Sequence, residues 1–145
     1  MRALLQRVSA AAVRVEGEEV ARIGPGLLVL LGVGAGDPPG AEIRLAERCA
    51  DFRIFEDDQG RMNRSVRETG GQILVVPQFT LMADTQKGRR PGFDPAAKPE
   101  KAEPAFVAFC ESLGKLGVSV GRGRFGASMD VELTNRGPAT FLLET

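Results

Sequence analysis

Short apolar runs fill the first third of the chain, and two longer stretches with helical spacing follow, so the pattern predicts many strands and two helices. Residues 3–8 and 12–16 are β-type runs, the second alternating Val13, Arg14, Val15 and Glu16. A Gly17-Glu18 turn leads to a third strand over residues 19–23, and Gly24-Pro25-Gly26 breaks the chain. Leu27-Leu28-Val29-Leu30-Leu31 is continuous rather than alternating, which predicts a strand covered on both faces. Residues 40–51 place Ile43, Ala46, Cys49 and Ala50 at three- and four-residue spacing and predict a helix. Residues 52–55 read as a short strand before the polar turn Glu56-Asp57-Asp58-Gln59-Gly60. Residues 73–81 form a second strongly apolar strand, expected to end or kink at Pro77 because proline cannot donate to a ladder.

Residues 84–98 read as a loop rich in Gly, Pro and cations, and Pro99 opens the longest helix, about 100–116. Its Ala102, Ala105, Phe106, Phe109, Leu113 and Leu116 fall on one stripe, so the helix covers a sheet with one face. Three strands finish the chain: residues 118–120, then Met129, Val131 and Leu133 alternating with Asp130, Glu132 and Thr134, then residues 139–143. No internal repeat or linker interrupts residues 1–145, so one domain of many strands with two covering helices is expected.

Composition narrows the class of function. At 43% apolar and 26% charged residues the chain is an ordinary globule, neither disordered nor fibrous. Nineteen Lys plus Arg balance nineteen Asp plus Glu, so any polyanion site must be local. Fifteen of the cations are Arg, the side chain suited to bidentate phosphate and carboxylate contacts. There is no His, which removes Ser-His-Asp and Cys-His catalysis and the commonest zinc ligand sets. No metal or cofactor is expected. Cys49 and Cys110, in separate helical patterns, read as reduced, buried thiols of a cytosolic protein. The longest apolar run, residues 27–33, falls short of the ~20 residues of a membrane helix, so no membrane partner is expected.

Four motifs carry candidate chemistry. Gly121-Arg122-Gly123-Arg124-Phe125-Gly126 spells a dinucleotide fingerprint, but the following segment alternates like a strand, so a glycine-rich bend is the preferred reading. Lys87-Gly88-Arg89-Arg90 has no acid between Thr85 and Gly92 and reads either as a solvated loop or as a phosphate-contacting patch. Pro77-Gln78-Phe79-Thr80-Leu81 ends an apolar strand. Asn135-Arg136-Gly137-Pro138-Ala139-Thr140 lies between the last two strands and, on spacing alone, is most often just a turn.

These motifs occur in a chain that resembles the D-aminoacyl-tRNA deacylases, also called D-tyrosyl-tRNA deacylases, over essentially its whole length. The matching stretches include Met1 to Val8, Ile23 to Val33, Arg53 to Asp57, Met62 to Ser65, Gln78 to Leu81, Lys87 to Pro91 and Phe125 to Ala127. The resemblance implies a layered β/β/α fold of mixed, mostly antiparallel sheet. It implies a homodimer acting on the ester between an amino acid and the 3′-terminal adenosine of tRNA, with the active site at the subunit interface. The family motifs Ser-Gln-Phe-Thr-Leu and Asn-x-Gly-Pro-Val-Thr match residues 77–81 and 135–140. On this resemblance Gln78, Phe79 and Thr80 are the catalytic positions. Asn135, Gly137, Pro138, Thr140, Pro77, Phe125 and Met129 bind substrate and select its handedness, through a Gly137-Pro138 bond that is cis in the family and reaches into the partner's pocket. Lys87, Arg89 and Arg90 contact tRNA. Without a base beside Thr80 or Thr140, positioning is favoured over a covalent threonine intermediate. Backbone N–H groups and the ribose 2′-OH then carry the chemistry.

The chain departs from the family at Pro77 for Ser, Arg136 for an acid, Ala139 for Val, Met82 for Tyr and Gly92 for Ser. Pro77 removes a hydroxyl and an N–H. It also matches a related branch that resembles deacylases for L-alanine mischarged on tRNA. That branch, and a non-catalytic protein binding the tRNA 3′ end, are the alternatives.

Overall fold

In the computed structural model, which describes residues 1–86 and 88–145, the elements run β1 (Arg2–Val15), β2 (Glu18–Ile23), β3 (Gly26–Gly32), α1 (Ala41–Asp51), β4 (Phe55–Glu56), β5 (Met62–Arg64), α2 (Val66–Thr69), β6 (Gln72–Pro77), a 3₁₀ turn (Phe79–Met82), α3 (Pro99–Lys115), β7 (Ser119–Arg122) and β8 (Asp130–Glu144). The expected Lys87 site lies outside the described residues.

Strand β1 organises the sheet. It pairs antiparallel with β3 through its first half, with β2 through its second half, and with β8 along its opposite side. Beyond β3 the sheet continues in parallel through β6 to β7, so it is mixed. The two runs expected over residues 3–16 are therefore one strand. Pairing with β8 at Val8, Ala10 and Ala11, joined by β2 from Ala11 on, carries the strand through Ser9-Ala10-Ala11, a stretch that local propensity leaves open. The hairpin into β2 turns on Glu16 and Gly17, at φ 51° and 82°, with Val15 opposite Glu18. Two successive left-handed residues match the twist of the flanking strands, and they place the turn one residue earlier than expected.

Two apolar layers sandwich the sheet. On one face Leu5, Leu27, Val29, Ile73 and Val75 pack against Leu45 and Cys49 of α1 and Phe106, Phe109 and Leu113 of α3. On the other, Val8, Val13, Ile23, Leu28, Leu74 and Val76 close together where β2 curls over β6 and β7. This is the expected β/β/α layering, and β3 is buried on both faces as its continuous apolar run requires. Each fully buried Leu, Ile or Val contributes roughly 1.5–3 kcal/mol of transfer free energy.

Local expectations are corrected at four places. Ile43 is exposed, because α1 faces the core with Ala41, Leu45, Ala46, Cys49 and Ala50. The strand expected over residues 52–55 shrinks to Phe55–Glu56, paired with β5. A third helix, α2, sits where none was expected. Its start is a capping box in which the Ser65 hydroxyl accepts from the Glu68 N–H and the Glu68 carboxylate accepts from the Ser65 N–H. Finally, the last two expected strands are one, β8, with residues 135–140 bulging from its middle. Thr140 pairs with Gln6 and Asn135 with Val8, so five residue steps on β8 oppose two on β1.

Pro77 and the glycine-rich bend explain each other. The N–H of Gln78 donates to Leu31 O at 2.8 Å, so the Pro77 nitrogen faces the β7 side, where pairing has already ended at Val75 and Arg122. A missing donor costs nothing there. At Gly123 an added Cβ would lie 2.9 Å from Met129 Sδ and 3.2 Å from Pro77 Cδ. Glycine is used at that position for close approach, and no helix follows, so the fingerprint reading is excluded. Among the described residues no helix is long and apolar enough to cross a membrane.

Candidate active site

The carboxyl ends of the parallel strands β3 and β6 open into a cleft of about 720 Å³. Clefts beyond the carboxyl ends of parallel strands are the usual ligand sites of α/β sheets. Its walls are Pro77, Gln78 and Phe79 at the end of β6, Phe93, Ala96, Ala97 and Lys98 before α3, Ala102 and Phe106 on α3, and Phe125 to Met129 after β7. Phe79 is 57% exposed and meets Phe93 edge-on at 5.0 Å between ring centroids, while Phe125 packs on Phe106 at 6.2 Å. Four aromatic rings therefore frame a space open to solvent on one side.

The chemistry available in this cleft is unusual for its lack of charge. Among the described residues Lys98 is the one ionisable side chain in its lining. What the turn does offer is backbone. The Gln78 N–H is taken by Leu31 O, and the first bond of the 3₁₀ turn runs from the Leu81 N–H to Gln78 O at 3.2 Å. The N–H groups of Phe79 and Thr80 lie between these two and precede the turn's own bonds, as the first donors of any helix do. The Thr80 hydroxyl accepts from Gln78 Nε2, which fixes both side chains but supplies no base. Cys49 and Cys110 stand apart from the cleft, and burial pushes their thiols up to about 12 and about 11, far from nucleophilic at neutral pH.

The second motif is elsewhere. Asn135, Arg136, Gly137, Pro138 and Thr140 are exposed on the β8 bulge, with the Gly137-Pro138 peptide bond cis, and none of them lines the cleft of its own chain. Asn135 Nδ2 closes the base of the bulge by donating to Arg7 O at 3.2 Å and Ala139 O at 3.4 Å. Thr140 Oγ1 accepts from Gln6 Nε2 at 3.4 Å. Ala139, where the family usually has Val, is fully buried. Of the expected tRNA contacts, Arg89 and Arg90 are exposed on a loop closed by paired backbone bonds between Asp84 and Gly92 at 2.8 and 2.9 Å.

One residue that sequence reasoning missed holds the bulge in place. Arg7 is 8% exposed, donates from Nη1 to Ile54 O at 2.7 Å and from Nε to Arg136 O at 3.2 Å, and has Glu56 at 3.5 Å. A signal was available: Ala3, Leu5 and Arg7 share the inward register of β1, and an arginine in a buried register needs acceptors. A separate depression near Asp51, Arg53 and Arg67 is walled by partnered groups, Arg67 with Asp51 at 2.8 Å and Arg53 with Asn63 O at 2.8 Å.

Comparison with known proteins supplies the family. The sequence model of the family described as D-Tyr-tRNA(Tyr) deacylase matches residues 4–144. A D-aminoacyl-tRNA deacylase of Roseiflexus castenholzii is 55% identical over 145 residues, covering 100% of this chain and 92% of the relative. One from Xanthomonas euvesicatoria is 56% identical over 146 residues, covering 99% of each. Among solved structures, the c-Myc DNA Unwinding Element Binding Protein superposes with a TM-score of 0.93 at 38% identity, covering 100% of this chain and 99% of that one. A probable eukaryotic D-amino acid tRNA deacylase superposes at 0.82 with 20% identity, covering 98% and 97%, which speaks for the fold. With full-length identity above half and a fold shared end to end, the chain belongs to the D-Tyr-tRNA(Tyr) deacylase family.

Proposed function

We propose that this protein hydrolyses the ester of D-aminoacyl-tRNA, and of glycyl-tRNA, to free amino acid and tRNA. The observation that carries the reading is an apolar cleft with Phe79, the first residue of a 3₁₀ turn, in its wall, so that the turn's leading N–H groups stand at its edge, and with no carboxylate or thiol in its lining among the described residues. Ester hydrolysis proceeds through a tetrahedral intermediate, and fixed donors aimed at its oxyanion lower that barrier without an ionisable catalyst. Water adds to the ester carbonyl, the carbonyl oxygen takes up negative charge against these N–H groups, and the C–O bond to the ribose breaks. The proton lost by the water passes to the departing 3′-oxygen by way of the ribose 2′-OH. Gln78 and Thr80 position the turn, while Pro77, Phe125 and Met129 shape the space around the substrate.

The working unit is a homodimer in which Gly137 and Pro138 of one protomer close the cleft of its partner. Supporting this, the two motifs lie apart within one chain, and β8 exposes Leu133 and Leu142, apolar surface of the kind an interface covers. Main chain in that position clashes with an L side chain, so selection works by exclusion. The reaction belongs to the cytosol, where aminoacyl-tRNA is made and used. A second reading rests on Pro77 in the cleft wall: deacylation of L-alanyl-tRNA, as in the related Pro-Gln branch. Purified protein offered D-tyrosyl-, glycyl- and L-alanyl-tRNA is expected to release the first two amino acids. Turnover of the L-alanyl ester alone transfers the assignment to that branch, and stable binding without turnover of any ester identifies a non-catalytic binder.

A further inference from the structure

Ten of the fifteen arginines donate to a carbonyl, carboxylate or amide oxygen of the chain. The other five, Arg89, Arg90, Arg122, Arg124 and Arg136, make no such side-chain bond among the described residues, and all five are exposed. Their distribution is not random over the surface. Arg89 and Arg90 lead along the chain to Phe93, and Arg122 and Arg124 lead to Phe125, both rings being walls of the cleft. The Gly-Arg-Gly-Arg bend, which the nucleotide-fingerprint reading failed to explain, is thereby given a use.

We infer that Arg122 and Arg124 form a second cationic contact at the cleft mouth, gripping phosphates of the single-stranded RNA 3′ end just before its terminal nucleoside. The bend is well suited to hold charge at a set place. Gly123 N–H donates to Val75 O at 2.8 Å and Ala127 N–H to Arg124 O at 3.3 Å, and Gly123 is packed against Pro77 and Met129. The bend carries no Asp or Glu of its own from Gly121 to Met129. Arg124 precedes the lining residue Phe125 directly, so its Cα is ~3.8 Å from that wall residue's Cα. With one nucleoside in the cleft, the adjoining phosphates lie at this mouth. A guanidinium fork matches a phosphate bidentately, and a phosphodiester chain offers repeated charges that two arginines on one bend can follow. An RNA backbone is favoured over an acidic protein because the same mouth leads to the aromatic cleft, a place for a nucleoside and its ester.

The inference rests on the function proposed above, and its test separates the two. The R122A/R124A variant changes exposed side chains and leaves the glycines intact. Against wild type it is expected to bind deacylated tRNA about tenfold more weakly, with the slope of log affinity against log salt reduced by about 1.4, two single-strand phosphate contacts. KM for D-tyrosyl-tRNA rises while turnover of D-tyrosyl-adenosine, which lacks those phosphates, stays at the wild-type value. R122K/R124K, which keeps the charges, restores most of the slope. Unchanged affinity and slope overturn the inference, as does an equal loss on D-tyrosyl-adenosine, which would mark the bend as structural. Unchanged tRNA binding with lost binding of a polyglutamate peptide assigns the pair to an acidic protein and overturns it too. If wild type cleaves no ester but the variant still loses salt-dependent binding, the proposed reaction fails and the phosphate contact stands.

Discussion

The two family motifs sit on the same sheet, yet one is built into a cleft and the other stands outside it. Residues 77–80 continue a buried strand into a turn bonded to Leu31 and packed beside Gly123, with Met129 lining the same cleft. Residues 135–140 bulge from a strand along one side of β1, exposed except for Ala139, and are tied down by Arg7 and the Asn135 side chain. The first has its surroundings within the chain. The second is anchored within the chain and lines no cleft of it. The contrast teaches that two motifs on one sheet can meet very different surroundings, because one strand register places them apart.

The contrast breaks most decisively by complementation. A Phe79→Ala chain and a Gly137→Trp/Pro138→Ala chain, each inactive or indiscriminate by itself, are co-refolded from denatured subunits. If the site is shared across a dimer, about a quarter of the sites in the mixture combine two intact halves, and selective D-ester hydrolysis returns to that extent. Activity no greater than that of the separate variants shows that each chain works alone.

A paired comparison of the two anchors comes next in size. Arg7→Ala leaves the Ile54 and Arg136 carbonyls without their donor and is expected to cost about 2–4 kcal/mol in urea unfolding. Gly123→Ala pushes a methyl toward Pro77 and Met129 and is expected to cost about 1–3 kcal/mol. The sharper readout is functional. In whatever folded protein remains, loss of Arg7 relaxes the discrimination between D- and L-esters, whereas Gly123→Ala lowers turnover of the D-ester with discrimination kept. Identical effects on both readouts would erase the distinction between the motifs.

The smallest effects concern pH. Glu132 is held below its ordinary value of 4.5 by the hydrogen bond from Arg14, and Glu19 by that from Arg22. Backbone N–H donation lowers Asp57 at Arg61 and Glu68 at Ser65. A carboxylate with a depressed folded value stabilises the protein above its unfolded value, and that contribution is lost as pH falls through the folded one. Thermal stability is therefore expected to be flat from about pH 5 to 8 and to decline modestly below, because these groups are exposed. The cleft, lined among the described residues by no carboxylate or thiol, should add no ionisation to kcat in the same window. A bell-shaped kcat profile there would require a general base that the cleft as described does not contain.

Much of this fold was legible from local patterns. The helix stripe Ala102, Phe106, Phe109 and Leu113 and the continuous run at β3 each report burial directly, since periodicity of 3.6 or its absence shows which faces meet the core. The capping box at Ser65 and Glu68 was also readable as a start signal, but a four-residue helix has no periodicity to accompany it. The candidate site was legible only in pieces. Phe125 and Met129 come to Pro77 because β7 and β6 pair in parallel, a contact between residues distant along the chain that no window of sequence contains.

By itself the amino-acid sequence determined the alternation that makes strands, the two long helices, and a chemistry without histidine. Only the tertiary structure decided that residues 2–15 and 130–144 are single long strands, that Arg7 is buried beneath the second motif, and that Pro77 falls where its ladder has already ended. The physical reason is one of range. Propensity and periodicity act over a few residues, whereas strand length, register and the burial of a charge depend on partners brought in from elsewhere in the chain.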